Sequence, residues 1–235
     1  MNRRTVRHVL KSMVIASALL VFSGSVCAEE VTSAFTVIID PAHGGSDEGV
    51  VLSRGVTEKE VTVDIARLIR RDLEKTGKYH VVLTRDSDRD TSIFERRSAV
   101  KKGKPALFIS IHVNAGFGSD ASGYEIYVAG REMPPNENAG AIAGDMMRTE
   151  TINESVRFAR IVQRNLNEVF PREGRGIRSA PAAILDGLAV PGVVLELGFA
   201  TNAANRKKVQ EEEAGDAIAR QVSASIREYF AGSGE

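Results

Sequence analysis

The sequence predicts an α/β fold: a single domain with a mostly parallel, twisted β-sheet and helices on both faces. Short apolar runs alternate along the chain with segments of helical periodicity, as is typical of a sheet covered by helices. The runs are rich in valine, isoleucine and leucine without strict alternation, which is expected for strands buried on both faces. The chain has 235 residues, of which 43% are hydrophobic, and this suits one such domain.

The first 28 residues have the pattern of a cleaved secretory signal. Basic residues precede a short apolar core from Met13 to Phe22, and small residues lead to Ala28, after which we expect cleavage. The core is too short to cross a bilayer as a helix. We therefore expect a secreted, periplasmic protein without a permanent membrane anchor.

Two alternatives for this segment are only weakly supported. Arg3-Arg4 could begin a twin-arginine export signal, but the residues that follow match it loosely. Cys27 could be a lipoprotein anchor, but it does not follow a small residue as a lipoprotein cysteine would. Removing residues 1–28 removes the only cysteine and four of the 31 basic residues, whereas all 31 acidic residues remain. The mature chain needs no disulfide. Its mild acidity argues against a nucleic-acid partner.

The predicted elements follow a short segment at 29–35. Apolar runs predict five strands: Thr36–Asp40, Tyr79–Thr84, Ala106–Ile111, Gly123–Val128 and Val193–Leu197. Helical spacing of apolar residues predicts four helices: Glu58–Lys75, Ser92–Lys101, Thr151–Phe170 and Ala214–Phe230. The domain therefore spans 36–230, and the glycine-containing end at 231–235 is expected to be a flexible tail.

The regular pattern is lost between Gly130 and Thr149, where prolines, asparagines and glycines follow one another. Connections of this length without regular structure are uncommon inside a domain and often form lids or binding loops. We expect an irregular segment here, with a short helix near Ala141–Met147.

Two histidines follow the carboxyl ends of predicted strands. His43 comes after Thr36–Asp40 and precedes two glycines, and His112 comes after Ala106–Ile111. Open α/β sheets place their ligand sites at this end of the strands, and neutral imidazole is a good zinc ligand. A single histidine is more often structural, but this shared context favours a metal site. His80 lies inside a strand pattern and is expected to be an ordinary strand residue.

A catalytic zinc ion needs a third protein ligand. Thr57 and Glu60 have the spacing of a capping box, which gives Glu60 a structural role at the helix end. Glu58 is then free to point into the site. Asp47 and Glu48 compete with it from the glycine-rich turn, so these residues favour Glu58 without excluding the others.

One carboxylate, Glu196, lies in the otherwise apolar run 191–199. A buried carboxylate must be paired, protonated or close to a cation. An ion pair with Arg85 or Arg96 is the structural alternative, although we expect these arginines to form other ion pairs around the sheet. Beside a zinc-activated water, Glu196 would act as a base and then as an acid. This role fits the pattern better.

These residues lie in four blocks that follow one another along the chain: Ile39–Gly49, Gly55–Lys59, Ser110–Ala115 and Val194–Asn202. The blocks resemble the zinc-dependent N-acetylmuramoyl-L-alanine amidases of the amidase-3 type, and the resemblance covers nearly the whole mature chain. It implies that His43, Glu58 and His112 bind one Zn²⁺ per chain and that Glu196 is the catalytic glutamate.

The resemblance also implies the reaction. The expected activity is hydrolysis of the amide bond between N-acetylmuramic acid and L-alanine, with peptidoglycan as the substrate. Two alternatives remain open: a non-catalytic peptidoglycan-binding protein of the same fold, and a zinc peptidase that cuts within the stem peptide.

Other expectations come from comparison with the family pattern. Asn114 follows the second histidine and is a candidate to hold substrate or a hydrogen bond near the metal, with a local turn role as the alternative. Division-type members carry an inhibitory helical insertion where this chain has 130–149. We hypothesise a partial lid here, with Glu132 or Glu137 approaching the metal and a protein activator as a candidate regulator. Ala42 replaces a usual glycine, so we expect a local backbone deviation there.

Overall fold

A six-stranded sheet forms the centre of the protein in the computed structural model, which describes residues 35–103, 106–130 and 139–232. The strands are β1 (Phe35–Pro41), β2 (Val51–Ser53), β3 (Val56–Thr57), β4 (Tyr79–Leu83), β5 (Leu107–Asn114), β6 (Tyr124–Ala129), β7 (Gly174–Ala180) and β8 (Gly192–Phe199). The sheet order is β4-β1-β5-β8-β6-β7, and β2 pairs with β3 in a separate hairpin. Strands β4, β1, β5 and β8 are parallel, whereas β6 runs antiparallel to β8 and parallel to β7.

Helices cover both faces of this sheet, as predicted. The described residues form α1 (Glu58–Glu74), α2 (Ile93–Gly103), α3 (Ala139–Leu166), α4 (Ala203–Gln210) and α5 (Glu212–Ala231). Helix α5 packs against α1 and α3 on one face, over the larger part of the core. Helix α2 packs against β1, and its Val100 joins the smaller apolar cluster of the other face. The predicted single α/β domain is confirmed.

Alternate residues of β1 show why the central strands have no polar face. Val37 and Ile39 belong to the larger apolar cluster, whereas Ile38 belongs to the smaller one, and all three are fully buried. Full burial of such a side chain is worth about 1.5–3 kcal/mol. Burial on both faces therefore selects an uninterrupted apolar run, which is the pattern that predicted this strand.

All five predicted strands and all four predicted helices are present, but four further elements of the described residues were missed: β2, β3, β7 and α4. Strand β7 is an edge strand rich in glycine and arginine, so it has no apolar run to reveal it. Hairpin β2–β3 consists of very short strands. Helix α4 has only two fully buried side chains, which leaves almost no helical stripe of apolar residues.

The expectation of irregular structure from Gly130 to Thr149 is wrong for its second half. Helix α3 begins at Ala139, so the short helix expected near Ala141–Met147 is its first part and the helix expected at Thr151–Phe170 is its continuation. Glycines in this stretch cost only about 1 kcal/mol each in a helix. The buried side chains of the later turns hold α3 on the sheet, and the helix extends backwards from them.

The signal segment expected at 1–28 and the lid candidates Glu132 and Glu137 lie outside the described residues. Among the helices of the described part, none has the length and apolarity needed to cross a membrane.

A buried ion pair fastens the carboxyl end of β1. Asp40 is 2% exposed, and its Oδ1 accepts a hydrogen bond from Nη1 of Arg96 at 2.8 Å. The hydroxyl of Thr84, after β4, and that of Ser110, on β5, also donate to the carboxylate. Asp40 therefore ties three neighbouring strands together at the edge where the histidines follow. The expected structural ion pair of Arg96 is confirmed.

We predict that Asp40→Ala destabilises the fold by about 3–5 kcal/mol, because it leaves the guanidinium of Arg96 buried without its carboxylate partner. Urea unfolding of the metal-free protein would measure the loss. The matched control is Asp64→Ala, which removes a solvent-exposed partner of Arg67. It should change the free energy of unfolding by no more than about 1 kcal/mol. Equal effects of the two substitutions would contradict the role given to Asp40.

Candidate metal centre

The first candidate ligand, His43, lies in a tight turn after β1. It has a φ of 60°, in the left-handed region that few non-glycine residues adopt, and Gly44 and Gly45 continue the turn with positive φ. The carbonyl of His43 accepts a hydrogen bond from Nη2 of Arg96 at 2.6 Å. The same arginine that pairs with Asp40 therefore also holds the strained turn in place.

The backbone deviation expected at Ala42 occurs one residue later. Ala42 has no positive φ, is 2% exposed, and donates its N–H to the carbonyl of Ile111 at 3.1 Å. Its own carbonyl accepts a hydrogen bond from Arg85 at 2.7 Å. Because Ala42 continues the strand pairing, a Cβ is tolerated there, and the strain falls on His43.

Glu58 is the first residue of α1 and is 2% exposed. Its Oε2 accepts the N–H of Val50 and its Oε1 accepts the N–H of Val113, each at 3.0 Å. The structure also forms the expected capping box, in which the N–H of Thr57 donates to Oε2 of Glu60 at 2.8 Å. The structural role predicted for Glu60 is confirmed, and Glu58 points away from the helix end into the site.

Glu58 bridges the two histidines. Its Oε2 lies 3.1 Å from Nε2 of His43, and its Oε1 lies 3.1 Å from Nδ1 of His112. One ligand atom from each of the three residues can be chosen so that all lie within 4.8 Å of one another. Ligand atoms about 2 Å from a tetrahedral ion are about 3.4 Å apart, so this spacing fits a small metal ion. Two imidazoles and a carboxylate are also a ligand set that catalytic zinc uses.

The interactions among His43, Glu58 and His112 stabilise a positive charge at this site. Hydrogen bonding to Glu58 is the main cause that raises the pKa of His43 to about 9, with Asp47 adding to it. Burial opposes ionisation of Glu58, but its hydrogen bonds with His112 and His43 outweigh burial and lower its pKa to about 2. A cation between these groups would meet an ionised carboxylate at neutral pH.

Asp47 contacts the ring nitrogen of His43 that faces away from Glu58. Its Oδ2 lies 2.8 Å from Nδ1 of His43, which leaves Nε2 facing Glu58. Carboxylates in this position orient metal-binding imidazoles and strengthen them as ligands. Neither Asp47 nor Glu48, the competing candidates, belongs to the group of possible ligands among the described residues.

Glu196 lies on β8, opposite His112 on the neighbouring strand β5. Its Oε2 is buried and has no hydrogen-bond partner among the described residues. Burial raises its pKa to about 7. The alternative ion pairs are not formed, because Arg96 pairs with Asp40 and Arg85 donates to backbone carbonyls such as that of Ala42.

The other sequence candidates lie outside this group. His80 is an exposed residue of edge strand β4, as expected. The side-chain amide of Asn114 donates to Oε2 of Glu125 at 3.1 Å. Sequence reasoning missed Glu125, a buried carboxylate on β6 that lies opposite Glu196 across the strand pair. The position of this charged residue inside the predicted strand Gly123–Val128 could have identified it from the sequence.

The chain matches a known protein family. The family model described as N-acetylmuramoyl-L-alanine amidase matches residues 37–228. Over 219 residues the chain is 26% identical to N-acetylmuramoyl-L-alanine amidase AmiC of Escherichia coli O6:H1, with 83% of this chain and 52% of that protein covered. It is 29% identical over 195 residues to N-acetylmuramoyl-L-alanine amidase LytC of Bacillus subtilis, covering 83% of this chain and 35% of LytC.

Among solved structures, the N-acetylmuramoyl-L-alanine amidase of Clostridium difficile 630 matches with a TM-score of 0.73 and 25% identity, covering 86% of this chain and all of that one. The chain thus spans only about half or less of the two curated relatives but the whole length of this solved domain. The match over residues 37–228 includes all four blocks that carry the resemblance, and the chain belongs to the N-acetylmuramoyl-L-alanine amidase family.

Proposed function

We propose that the protein is a zinc-dependent amidase that hydrolyses the amide bond between N-acetylmuramic acid and L-alanine in peptidoglycan. For a chain of this family, the proposal rests on one observation. Glu196 lies on the strand beside His112, and its buried Oε2 has no hydrogen-bond partner among the described residues. A buried carboxylate oxygen without a hydrogen-bond partner lowers the stability of the folded protein, and groups of this kind are typical of functional sites.

His43, Glu58 and His112 would hold the zinc ion, through Nε2, the carboxylate and Nδ1 respectively. When bound, zinc would polarise the amide carbonyl and make an attacking water more acidic. The three residues come from a turn, a helix start and a strand, which the sheet and its ion pairs hold rigidly. Three protein ligands leave one position open for reactants, as in other catalytic zinc sites.

Glu196 moves the proton. A pKa of about 7 suits a group that must both accept and donate a proton near neutral pH. Glu196 takes a proton from the attacking water while oxygen adds to the carbonyl carbon. It then gives that proton to the nitrogen of L-alanine as the carbon–nitrogen bond breaks, so the stem peptide leaves with a free amine.

The location and boundaries are part of the proposal. The pattern of residues 1–28 supports export to the periplasm, with a catalytic domain from 36 to 230. The tail expected at 231–235 begins at the last residue of α5, and residues 233–235 lie outside the described part. A lid that includes Glu132 or Glu137, and an activator that acts on it, remain predictions for a segment outside the described residues.

We predict that His112→Ala lowers the affinity for zinc by more than about 100-fold, because it removes a direct ligand. Metal analysis of the full chain after dialysis against a weak chelator would measure the bound zinc. His80→Ala is the matched control, since this histidine is exposed on an edge strand. Zinc retained by the His112 variant at the wild-type level would remove His112 from the site.

Asp47→Asn should have a smaller effect, about 10–100-fold in zinc affinity, because Asp47 only orients the ring of His43. The same chelator competition measures it. Glu48→Gln removes the adjacent negative charge and should leave the affinity near wild type. If both variants lose affinity equally, the general negative charge of the turn matters rather than the contact to His43.

Glu196→Gln should keep zinc and lose turnover by about 100- to 10,000-fold, because the amide cannot carry the proton. Hydrolysis of purified peptidoglycan would be followed by mass spectrometry of the released peptides. Glu60→Gln is the control, since Glu60 only caps α1. Its activity should remain close to wild type.

The products separate the possible activities. Intact stem peptides with a free L-alanine amine identify the amidase, whereas shorter peptides identify cleavage within the stem. Retained turnover in Glu196→Gln would refute the role of Glu196. Wild-type protein that binds peptidoglycan and contains no zinc would support a non-catalytic binding protein.

A further inference from the structure

Edge strand β7 contains a bulge that changes the direction of its side chains. On β6, Tyr124 pairs with Gly174 of β7, and Ile126 pairs with Ile177. The two pairs are two residues apart on β6 but three residues apart on β7. Strand β7 therefore has one extra residue here, and Gly176 has a φ of 95°, which glycine adopts readily.

The bulge places two arginines on the same face of the sheet. Arg175 precedes the extra residue, and Arg178 follows it and pairs in register with Tyr127. Without the bulge, residues three apart on a strand would point to opposite faces. With it, the guanidinium groups of both arginines converge on Oε1 of Glu125, at 2.9 Å for Arg175 and 3.2 Å for Arg178.

This arginine pair, Arg175 and Arg178, has more positive charge than Glu125 can balance. Glu125 is 5% exposed, and its other oxygen accepts hydrogen bonds from the hydroxyl of Tyr127 and the amide of Asn114. One ionised carboxylate faces two guanidiniums, so one positive charge remains. The arginine side chains are 40% and 49% exposed, and each guanidinium has five N–H donors. Donors and charge therefore remain available at the surface.

The arginine pair continues a row of functional groups across the sheet. His112, Glu196 and Glu125 are register partners on the neighbouring strands β5, β8 and β6. Strands are about 4.8 Å apart, so the guanidiniums that contact Glu125 lie within about 5–10 Å of the Glu196 carboxylate. Arg175 also lies over the ring of Phe199, 5.2 Å from its centroid, which restrains its plane.

We propose that Arg175 and Arg178 bind a carboxylate of the stem peptide, on the residue that follows L-alanine. This inference rests on the proposed function, because it takes the scissile amide to lie between the metal ligands and Glu196. Two residues of extended chain reach about 7 Å, so a carboxylate on the second residue can contact the pair while the amide is at Glu196. Guanidiniums bind carboxylates with a geometry that a neutral carboxamide matches less well.

The test compares two muropeptides that differ in one group. Both carry the same sugar and stem, but the second residue is D-glutamate with a free α-carboxylate in one and D-isoglutamine, its carboxamide, in the other. Zinc-loaded wild type should show a KM for the carboxylate form about ten-fold lower, the size expected for losing a hydrogen bond to a charged group. The kcat should be similar for both.

Arg175→Gln and Arg178→Gln should each raise the KM for the carboxylate form about ten-fold and leave the KM for the carboxamide form unchanged. Each single variant leaves Glu125 with the other arginine, so the buried carboxylate keeps a charged partner. The melting temperature and zinc content should stay near wild type. Arg220→Gln is the control. It removes the same charge from an exposed position of α5, on the opposite face of the sheet, and should change neither KM.

A binding measurement makes the test independent of turnover. Calorimetry would give the affinity of both muropeptides for Glu196→Gln alone and for Glu196→Gln combined with Arg175→Gln or with Arg178→Gln. If wild type cuts neither muropeptide but the carboxylate form binds about ten-fold tighter through the arginines, the proposed reaction fails and this inference stands. Equal binding of the two muropeptides, or equal losses for both in the arginine variants, would overturn the inference even if the amidase activity is demonstrated.

Discussion

The buried contact between Asp40 and Arg96 organises this protein. Asp40 ends the apolar part of β1, and its carboxylate ties β1 to the neighbouring strands through Thr84 and Ser110. Arg96 comes from α2 and continues beyond Asp40 to the carbonyl of His43. A single ion pair therefore links the sheet, the helix on its second face and the turn that contains the first candidate metal ligand. Removing one partner would leave a buried charge, so the contact is also a stability requirement.

The site combines tightly held groups with one carboxylate that lacks a partner. Glu58 accepts two backbone N–H groups and contacts both histidines, and Asp47 holds the first histidine from behind. Glu196 is half-buried nearby, its buried Oε2 has no hydrogen bond among the described residues, and burial raises its pKa. The difference suits the proposed roles, because a metal ligand benefits from being ionised and fixed, whereas a proton carrier must be able to change its charge.

The antiparallel pairing of β6 with β8 extends this site sideways. It brings Glu125 beside Glu196, and the bulge of β7 brings two arginines to Glu125. Four successive strands, β5, β8, β6 and β7, thus carry the candidate ligand His112, the proposed proton carrier Glu196, Glu125 and the arginine pair. In the proposed arrangement, edge strand β7 would bind the substrate, and the parallel strands β5 and β8 would carry His112 and Glu196 for the chemistry.

The fold class, the five main strands and the residues most able to perform chemistry could be predicted from the sequence. This was possible because burial on both faces selects continuous apolar runs, and a histidine or glutamate that interrupts such a pattern stands out, as His43, His112 and Glu196 do. Local spacing also determined the capping role of Glu60. These signals depend on neighbours in the chain, which the sequence displays directly.

Three features could be seen only in the folded protein: the contact of Glu58 with both histidines, the place of the strain at the turn and the contacts of Glu125. These outcomes depend on residues far apart in the chain, such as Glu58 and His112, whose approach is set by strand order and helix packing. Strand β7 and the start of α3 could not be predicted from the sequence, because neither depends on a local apolar pattern. An edge strand is held by pairing, and a helix can extend from turns that are already packed.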